Sequence, residues 1–465
     1  MSRTRLLVVG VDGMDHDVVL KLGPERLPHL HRLVSSSKPH SSTFPPDSVP
    51  SWTTMLTGVP PWEHGQLHSK NYILDKGAGP EVAGLRGLED RCFWNALPTS
   101  ARLAVINPFL AYPAFEPLPG GAMVSAPSFS EQPPSVVDRE RRLVGEPPAR
   151  MGGFTNVPQQ KDIAAFGEDT RDVAAEQFTY TLAQLDSGQW DAVFHTNLTV
   201  DRIQHFAWRH FDPSDPTHPG SEYADLVPAA YRQVDDFLSE ASSLCAPDAQ
   251  TVVFSDHGHG PRASVGINLQ EVFRREGLYV VSTTAARRTV ETAKTALLSY
   301  APACHAEDPV IWLARRMPGK AALKSGAVAG RPVAGSIKVP NVAGSNPYGG
   351  VATGGDDGIT SRVVELLESL EHRGRRVAKW VRTAEAVLGT ADVGPHYPDV
   401  LFELLPAYAP TWNLYGPAFA PIITRKRLSG GHTRRSVFAT TAVGVTAPAD
   451  SAGVHAALRE VCSQL

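Results

Sequence analysis

The sequence predicts an α/β fold: an open, mostly parallel sheet flanked by helices, with inserted cap segments. Three observations carry the prediction. Short apolar runs rich in β-branched residues recur along the 465 residues, helical patterns stand between them, and Asp, Ser and His residues fall just beyond the ends of those runs, where an open α/β sheet keeps its ligand crevice. The length allows one large α/β domain with insertions or two ordinary domains. Apolar residues make up 42% and charged residues 20%, and Gly and Pro are abundant without a period, which excludes collagen-like and wholly disordered chains.

RLLVVGV, residues 5–11, is a continuous apolar run that suits a strand buried on both faces of a parallel sheet. SWTTML, a few residues after Ser48, carries a helical start signal. Further strands are predicted at LAVIN (103–107), AVFHTNL (192–198), TVVFS (251–255), DVLFEL (399–404) and SVFATT (436–441), with a helix at YRQVDDFLSEASSL (231–244). Two stretches break the alternation. Residues 108–175 are rich in Pro and Gly, and residues 280–395 mix the helical pattern TVETAKTALLSY with Gly-rich loops; both read as excursions from the sheet that wall or cap a site. The expected division is a catalytic core of 1–279 and 396–465, in which 108–175 is a loop-rich wall, and an insert or cap at 280–395.

The net charge of −4 provides no global field for attracting nucleic acid or anionic lipid, and the short basic runs HRGRR (372–376) and RKR (425–427) read as solvated surface. The N-terminal apolar stretch is short and soon meets Asp12, so neither a signal peptide nor a membrane span is expected, and the location expected is cytoplasmic. Cysteines 92, 245, 304 and 462 form no C-x-x-C pair and are expected to be free thiols. Oligomeric state is not legible in the sequence.

The residues that carry chemistry are scattered in sequence. Asp12 stands one residue past the first strand, between glycines, in GVDGMD. Asp201 and His205, in DRIQH, are four apart in a helical segment, which sets a carboxylate and an imidazole on one face one turn apart. Asp256 and His257 follow TVVFS and serve one site only where that strand is ending. His432 follows two glycines just before SVFATT. Each alone has a plain explanation as a cap or a packed imidazole; the set points to metal. Carboxylates and imidazoles without thiolates suit zinc or manganese. Ser48 lies at a helix start, where backbone N–H groups and the dipole favour an anion, although a plain N-cap accounts for a Ser there equally well.

Taken in order, VVGVDGMD, TFP with Ser48 and T-G nine residues beyond it, P-x-x-H-G at 61–65, NPFLAYPAFEPLPGGAMVSAP, DRIQH, FSDHGHG, INLQEVFRREGL, NPYGG and SGGHTRR resemble the type I phosphodiesterase and nucleotide pyrophosphatase branch of the alkaline phosphatase superfamily. The resemblance implies an alkaline-phosphatase-like fold. It implies two divalent ions, zinc or else manganese, one held by Asp12, Ser48, Asp256 and His257 and the other by Asp201, His205 and His432. It also implies that Ser48 is the nucleophile of a phosphoric ester hydrolase that forms a phosphoseryl intermediate and acts on a small phosphate ester, a diester or a nucleotide pyrophosphate. Ser51 stands where those enzymes use an Asn to hold a phosphoryl oxygen, which makes it a candidate substrate contact. Residues 280–395 match poorly, and no role is carried over to them.

Three rivals stand beside this reading. S-V-P-S at 48–51 also resembles the signature in which sulfatases form formylglycine, but that signature continues with Arg and position 52 is Trp. A phosphomonoesterase, phosphonate hydrolase or sulfatase would use the same two-metal site. A non-catalytic ligand-binding member would be expected to lack a ligand or the nucleophile, and all seven positions are present.

Overall fold

The computed structural model describes residues 3–67, 84–127, 132–152, 162–220, 222–301, 309–310, 331–332, 337, 346–394 and 397–465. The chain divides into two compact units: Met1–Lys70, Glu81–Pro261 and Ser429–Leu465 form the first, and Asn71–Pro80 with Arg262–Leu428 the second.

The first unit is built on strands β1 (Leu6–Val11), β2 (Leu103–Ile106), β3 (Ala122–Ser125), β4 (Ser135–Val137), β5 (Ala192–Asn197), β6 (Gln250–Phe254) and β9 (Phe438–Thr440), which form one seven-stranded sheet in the order β9-β6-β1-β5-β2-β3-β4. The inner pairs are parallel, and both edge strands, β9 on β6 and β4 on β3, run antiparallel. Central β1 is in register with both neighbours, Leu6 opposite Ala192 on one side and Gln250 on the other. All six of its residues are buried, which is why it reads as an unbroken apolar run rather than an alternating one.

Helices cover the sheet. Helix α1 (His16–Leu22) starts at Asp15, whose carboxylate accepts from the N–H groups of Asp17 and Val18. Helix α2 (Ser48–Thr57) is capped by Asp47 and closed by Gly58, at φ 73°. Helices α3 (Ile163–Asp186), α4 (Thr199–Phe211) and α5 (Leu226–Leu244) pack on one another, and α6 (Ser451–Ser463) packs beside α2. Leu6 and Val8 share a core with Trp52, Phe194, Phe254, Val454 and Leu458. Burying each such large side chain contributes roughly 1.5–3 kcal/mol. Gly10 continues the face of Leu6 and Val8, and a Cβ there would lie 2.5 Å from the Trp52 indole. A second, two-stranded ribbon joins β7 (Gly258–Pro261) to β8 (Gly430–Thr433).

Two expectations are corrected. Residues 108–175 are not wholly an excursion: they supply β3, β4 and the start of α3, with their Gly and Pro residues largely in the connecting turns. DVLFEL is a strand (Val400–Leu404), but it lies in the second unit, antiparallel to Tyr348–Val351 and Ala378–Thr383. A short apolar β-branched run reads alike in any buried sheet, so its periodicity does not say which sheet it joins.

The second unit has its own core, in which Ile267, Phe273, Val351, Val363 and Phe402 meet, and it carries helices Ala285–Tyr300 and Asp357–Ser369. In HRGRR the arginines are exposed on a tight hairpin, whereas Arg425 of RKR is buried. Cys92, Cys245 and Cys462 are free and buried; Cys304 lies outside the described residues. Among the described residues no helix is long and apolar enough to cross a membrane.

Candidate metal centre

The site lies within the first unit, beyond the ends of β1, β5 and β6. Asp12 is the residue after β1. Asp256 and His257 come after β6 has ended at Phe254, so the alternation of a regular strand no longer sends neighbours to opposite faces, and Asp256 Oδ2 lies 3.2 Å from His257 Nε2. Asp201 and His205 stand one turn apart on α4, with Oδ1 and Nε2 separated by 3.3 Å. His432 arrives on β8, opposite His259 of β7. Ser48 is the first residue of α2; because Asp47 caps that helix, its hydroxyl is left to face Asp12 Oδ1 at 3.4 Å and His257 Nε2 at 3.2 Å.

The ligand atoms of Asp12, Asp256 and His257 lie within 4.8 Å of one another, and so do those of Asp201, His205 and His432. The imidazoles are oriented alike. Nδ1 of His257 bonds the Gly258 carbonyl at 3.0 Å, Nδ1 of His205 the Gly430 carbonyl at 3.2 Å, and Nδ1 of His432 the Pro46 carbonyl at 2.9 Å. A carbonyl only accepts, so each Nδ1 carries the proton and each Nε2 turns a lone pair toward the carboxylates. Nε2 of His205 and of His432 come within 3.0 Å of each other. Two facing lone pairs repel unless a cation or a proton stands between them. Asp201 Oδ1 and Asp256 Oδ2 are buried without a hydrogen-bond partner.

The electrostatics point the same way. Burial, then the charges of Asp256 and Asp201, pushes the Asp12 carboxyl well above the usual carboxylate range; burial chiefly does the same to Asp256. Burial also depresses His257 to about 3 and moves His432 well below the ordinary imidazole value. Clustered carboxylates and neutral imidazoles out of water are unfavourable by themselves, and a divalent cation inverts that balance. The residues present therefore fit metal ions, with oxygen and imidazole donors and no thiolate.

Four placements were not legible in the sequence or differ from it. Ser51 is buried, and its hydroxyl is held by Ser42 Oγ at 2.9 Å and Thr43 Oγ1 at 2.7 Å, so it is not presented to a ligand. His259 joins Asp201 and His257 in a third candidate ligand group; its place two residues after His257 in FSDHGHG was the available signal. Trp52 donates from Nε1 to Asp12 Oδ2 at 3.2 Å, for which nothing in the sequence prepared. Arg202, next to Asp201, is a cation whose charge is felt at Asp12. His64 of the P-x-x-H-G segment accepts from the Gln66 N–H and lies beside Thr54, a structural setting.

Comparison with known proteins gives the chain its family. The type I phosphodiesterase / nucleotide pyrophosphatase family matches residues 6–316. A comparison with curated proteins gave no match. Among solved structures, phosphonoacetate hydrolase from Sinorhizobium meliloti 1021, in complex with phosphonoacetate, is similar with a TM-score of 0.54 at 17% identity, over 99% of this chain and 96% of that one. Human ectonucleotide pyrophosphatase / phosphodiesterase 5 is similar with a TM-score of 0.50 at 10% identity, over 99% of this chain and 95% of that one. At such identities the likeness speaks for the fold. With its alkaline-phosphatase-like sheet, and matched over most of its length, the chain belongs to the type I phosphodiesterase / nucleotide pyrophosphatase family and is a phosphoric ester hydrolase of the alkaline phosphatase superfamily.

Proposed function

We propose that the chain cleaves phosphodiester or nucleotide pyrophosphate bonds in a small substrate through a phosphoseryl intermediate on Ser48. The observation that carries this reading is the Ser48 hydroxyl, relieved of capping by Asp47 and turned toward Asp12 Oδ1 and His257 Nε2. Two divalent ions, zinc or else manganese, would be held by Asp12, Ser48, Asp256 and His257 and by Asp201, His205 and His432. Bound there, they supply Lewis acidity that acidifies a hydroxyl and offsets charge on phosphoryl oxygens. Ser48 Oγ attacks phosphorus; the P–Oγ bond forms as the bond to the leaving oxygen breaks, the serine proton departing in the net reaction with that oxygen, and water then cleaves P–Oγ, its hydroxyl staying on phosphorus and its proton returning to the serine. The backbone carbonyls of Gly258, Gly430 and Pro46 keep the three imidazoles in one tautomer throughout.

Diesters are favoured over monoesters because a monoester dianion asks for more cationic help beside the ions. The segment Ser48–Gly58 contains no Lys or Arg. Arg434 is spent on the Ser42 carbonyl at 3.0 Å and stands over the Phe44 ring, while Arg435 pairs with Asp17 at 2.6 Å. Buried, free Cys92, Cys245 and Cys462 suit the reducing conditions of the cytoplasm, where we place the protein. The test is kcat/KM for bis(p-nitrophenyl) phosphate, p-nitrophenyl phosphate, a sulfate ester and a phosphonate at equal metal loading. The diester should lead; preference for another class overturns the diesterase reading.

A further inference from the structure

Trp52 lies one helical turn beyond Ser48 on α2, so nucleophile and indole share a face of that helix. The indole is wholly buried. Phe254 meets it edge-on with ring centres 5.5 Å apart, Phe109 lies 6.0 Å away, and Gly10 of β1 leaves the room that its six-membered ring occupies. Held so, Nε1–H reaches Asp12 Oδ2 at 3.2 Å. The other oxygen, Oδ1, is the one near Ser48 Oγ at 3.4 Å and His257 Nε2 at 3.6 Å.

We infer that Trp52 is a positioning residue for the metal centre: by engaging Oδ2 it turns Asp12 so that Oδ1 alone faces the cation seat next to Ser48. An indole N–H is a donor only, so it occupies a carboxylate oxygen without competing for the ion. Because the same helix carries the nucleophile one turn earlier, the contact also ties the rotation of α2 to the ligand that follows β1. Loss of the N–H frees the carboxylate to turn and to offer both oxygens, which changes both affinity and coordination number at that seat. Outer partners of metal ligands typically govern affinity by about 10–100-fold.

This inference rests on the two-ion reading above, and the test separates the two. Purified full-length protein, stripped with chelator, is titrated with Zn2+ and with Co2+, whose visible absorption reports coordination number. Trp52→Phe should weaken one of two binding events by about tenfold or more and alter the Co2+ spectrum. Phe254→Leu, which disturbs the same packing but keeps the indole N–H, should leave affinities and spectrum as in the wild type. If Trp52→Phe binds both ions with wild-type affinity and spectrum, or changes no more than Phe254→Leu, the positioning role is overturned. If the wild type itself takes up no divalent ion, the two-ion reading falls and takes the inference with it.

Discussion

Asp47 and Ser48 divide the start of α2 between them: the carboxylate serves the helix and the hydroxyl is left for chemistry. Ser48→Ala should therefore fold normally, since it removes no cap, yet lose about a thousandfold or more of turnover, the order seen when a nucleophile is deleted. Rapid quenching of the wild type should trap phosphate on Ser48, and undiminished turnover in the alanine variant would dismiss the covalent route. His432 has a different duty. Its Nε2 faces His205 Nε2 at 3.0 Å and Asp201 Oδ1 at 3.6 Å, so His432→Ala leaves two donors of that cluster. Elemental analysis should find close to two zinc or manganese ions per chain in the wild type and about one in the variant; two ions at full occupancy in the variant would remove His432 from the ligand set.

At the scale of elements, β7 and β8 matter more than their length suggests, because β8 brings His432 while β7 follows directly on His257. Gly258 opens β7, and a Cβ there would stand 2.5 Å from both the Arg435 carbonyl and the Thr433 hydroxyl. The carbonyl is backbone of the facing segment and cannot swing aside as a flexible side-chain tip would, while the Thr433 hydroxyl and the Asp15 carboxylate, also in the way, are side-chain atoms that would have to turn. Gly258→Ala should thus spread the ribbon, costing about 1–3 kcal/mol as overpacking does and displacing His257 and His432 together. Denaturant melts and metal content measured on one preparation check this; a variant with both ions and wild-type stability refutes it. A buried polar chain braces the helices from beneath: Asp15 N–H donates to the Tyr231 hydroxyl at 2.9 Å, that hydroxyl donates to Gln204 Oε1 at 3.1 Å, and the Gln204 amide donates to the Gly13 carbonyl at 2.7 Å. It ties α4 and α5 to the turn that follows Asp12.

For the whole molecule, the buried and half-buried histidines set the response to acid. Outside the metal centre, burial depresses His40, His64 and His455 to about 4 and His195 to about 3, from an ordinary 6.5. Below about 6.5 the unfolded chain takes up protons that the folded chain refuses, so stability is complete above that pH and is lost as pH falls toward 4. Asp15, raised to about 6 by burial, acts with the opposite sign, as do Asp12 and Asp256 in the metal-free protein. Outside the metal centre these four histidines stand against Asp15, and each contributes roughly 1.4 kcal/mol per pH unit within its window. Unfolding free energy should be lower at pH 5 than at pH 7.5, and the reverse order would contradict this balance.

The sequence by itself determined the α/β class and the strands that flank the site, because periodicity is a local property that a chain displays in order, and it offered seven candidate positions through strand-end placement and a family resemblance. It did not determine which sheet DVLFEL would join, nor that residues 108–175 would lend two strands to the main sheet, because strand pairing is decided between distant segments. The tautomers of His205, His257 and His432 came from carbonyls at Gly430, Gly258 and Pro46, the first and last of them far off in sequence. The indole on Asp12 and the burial of Ser51 were likewise products of packing. A hydroxyl or an N–H reads the same in sequence whether it faces a substrate or another side chain; only the folded neighbourhood chooses, by deciding which polar groups are shut away from water and must find partners there.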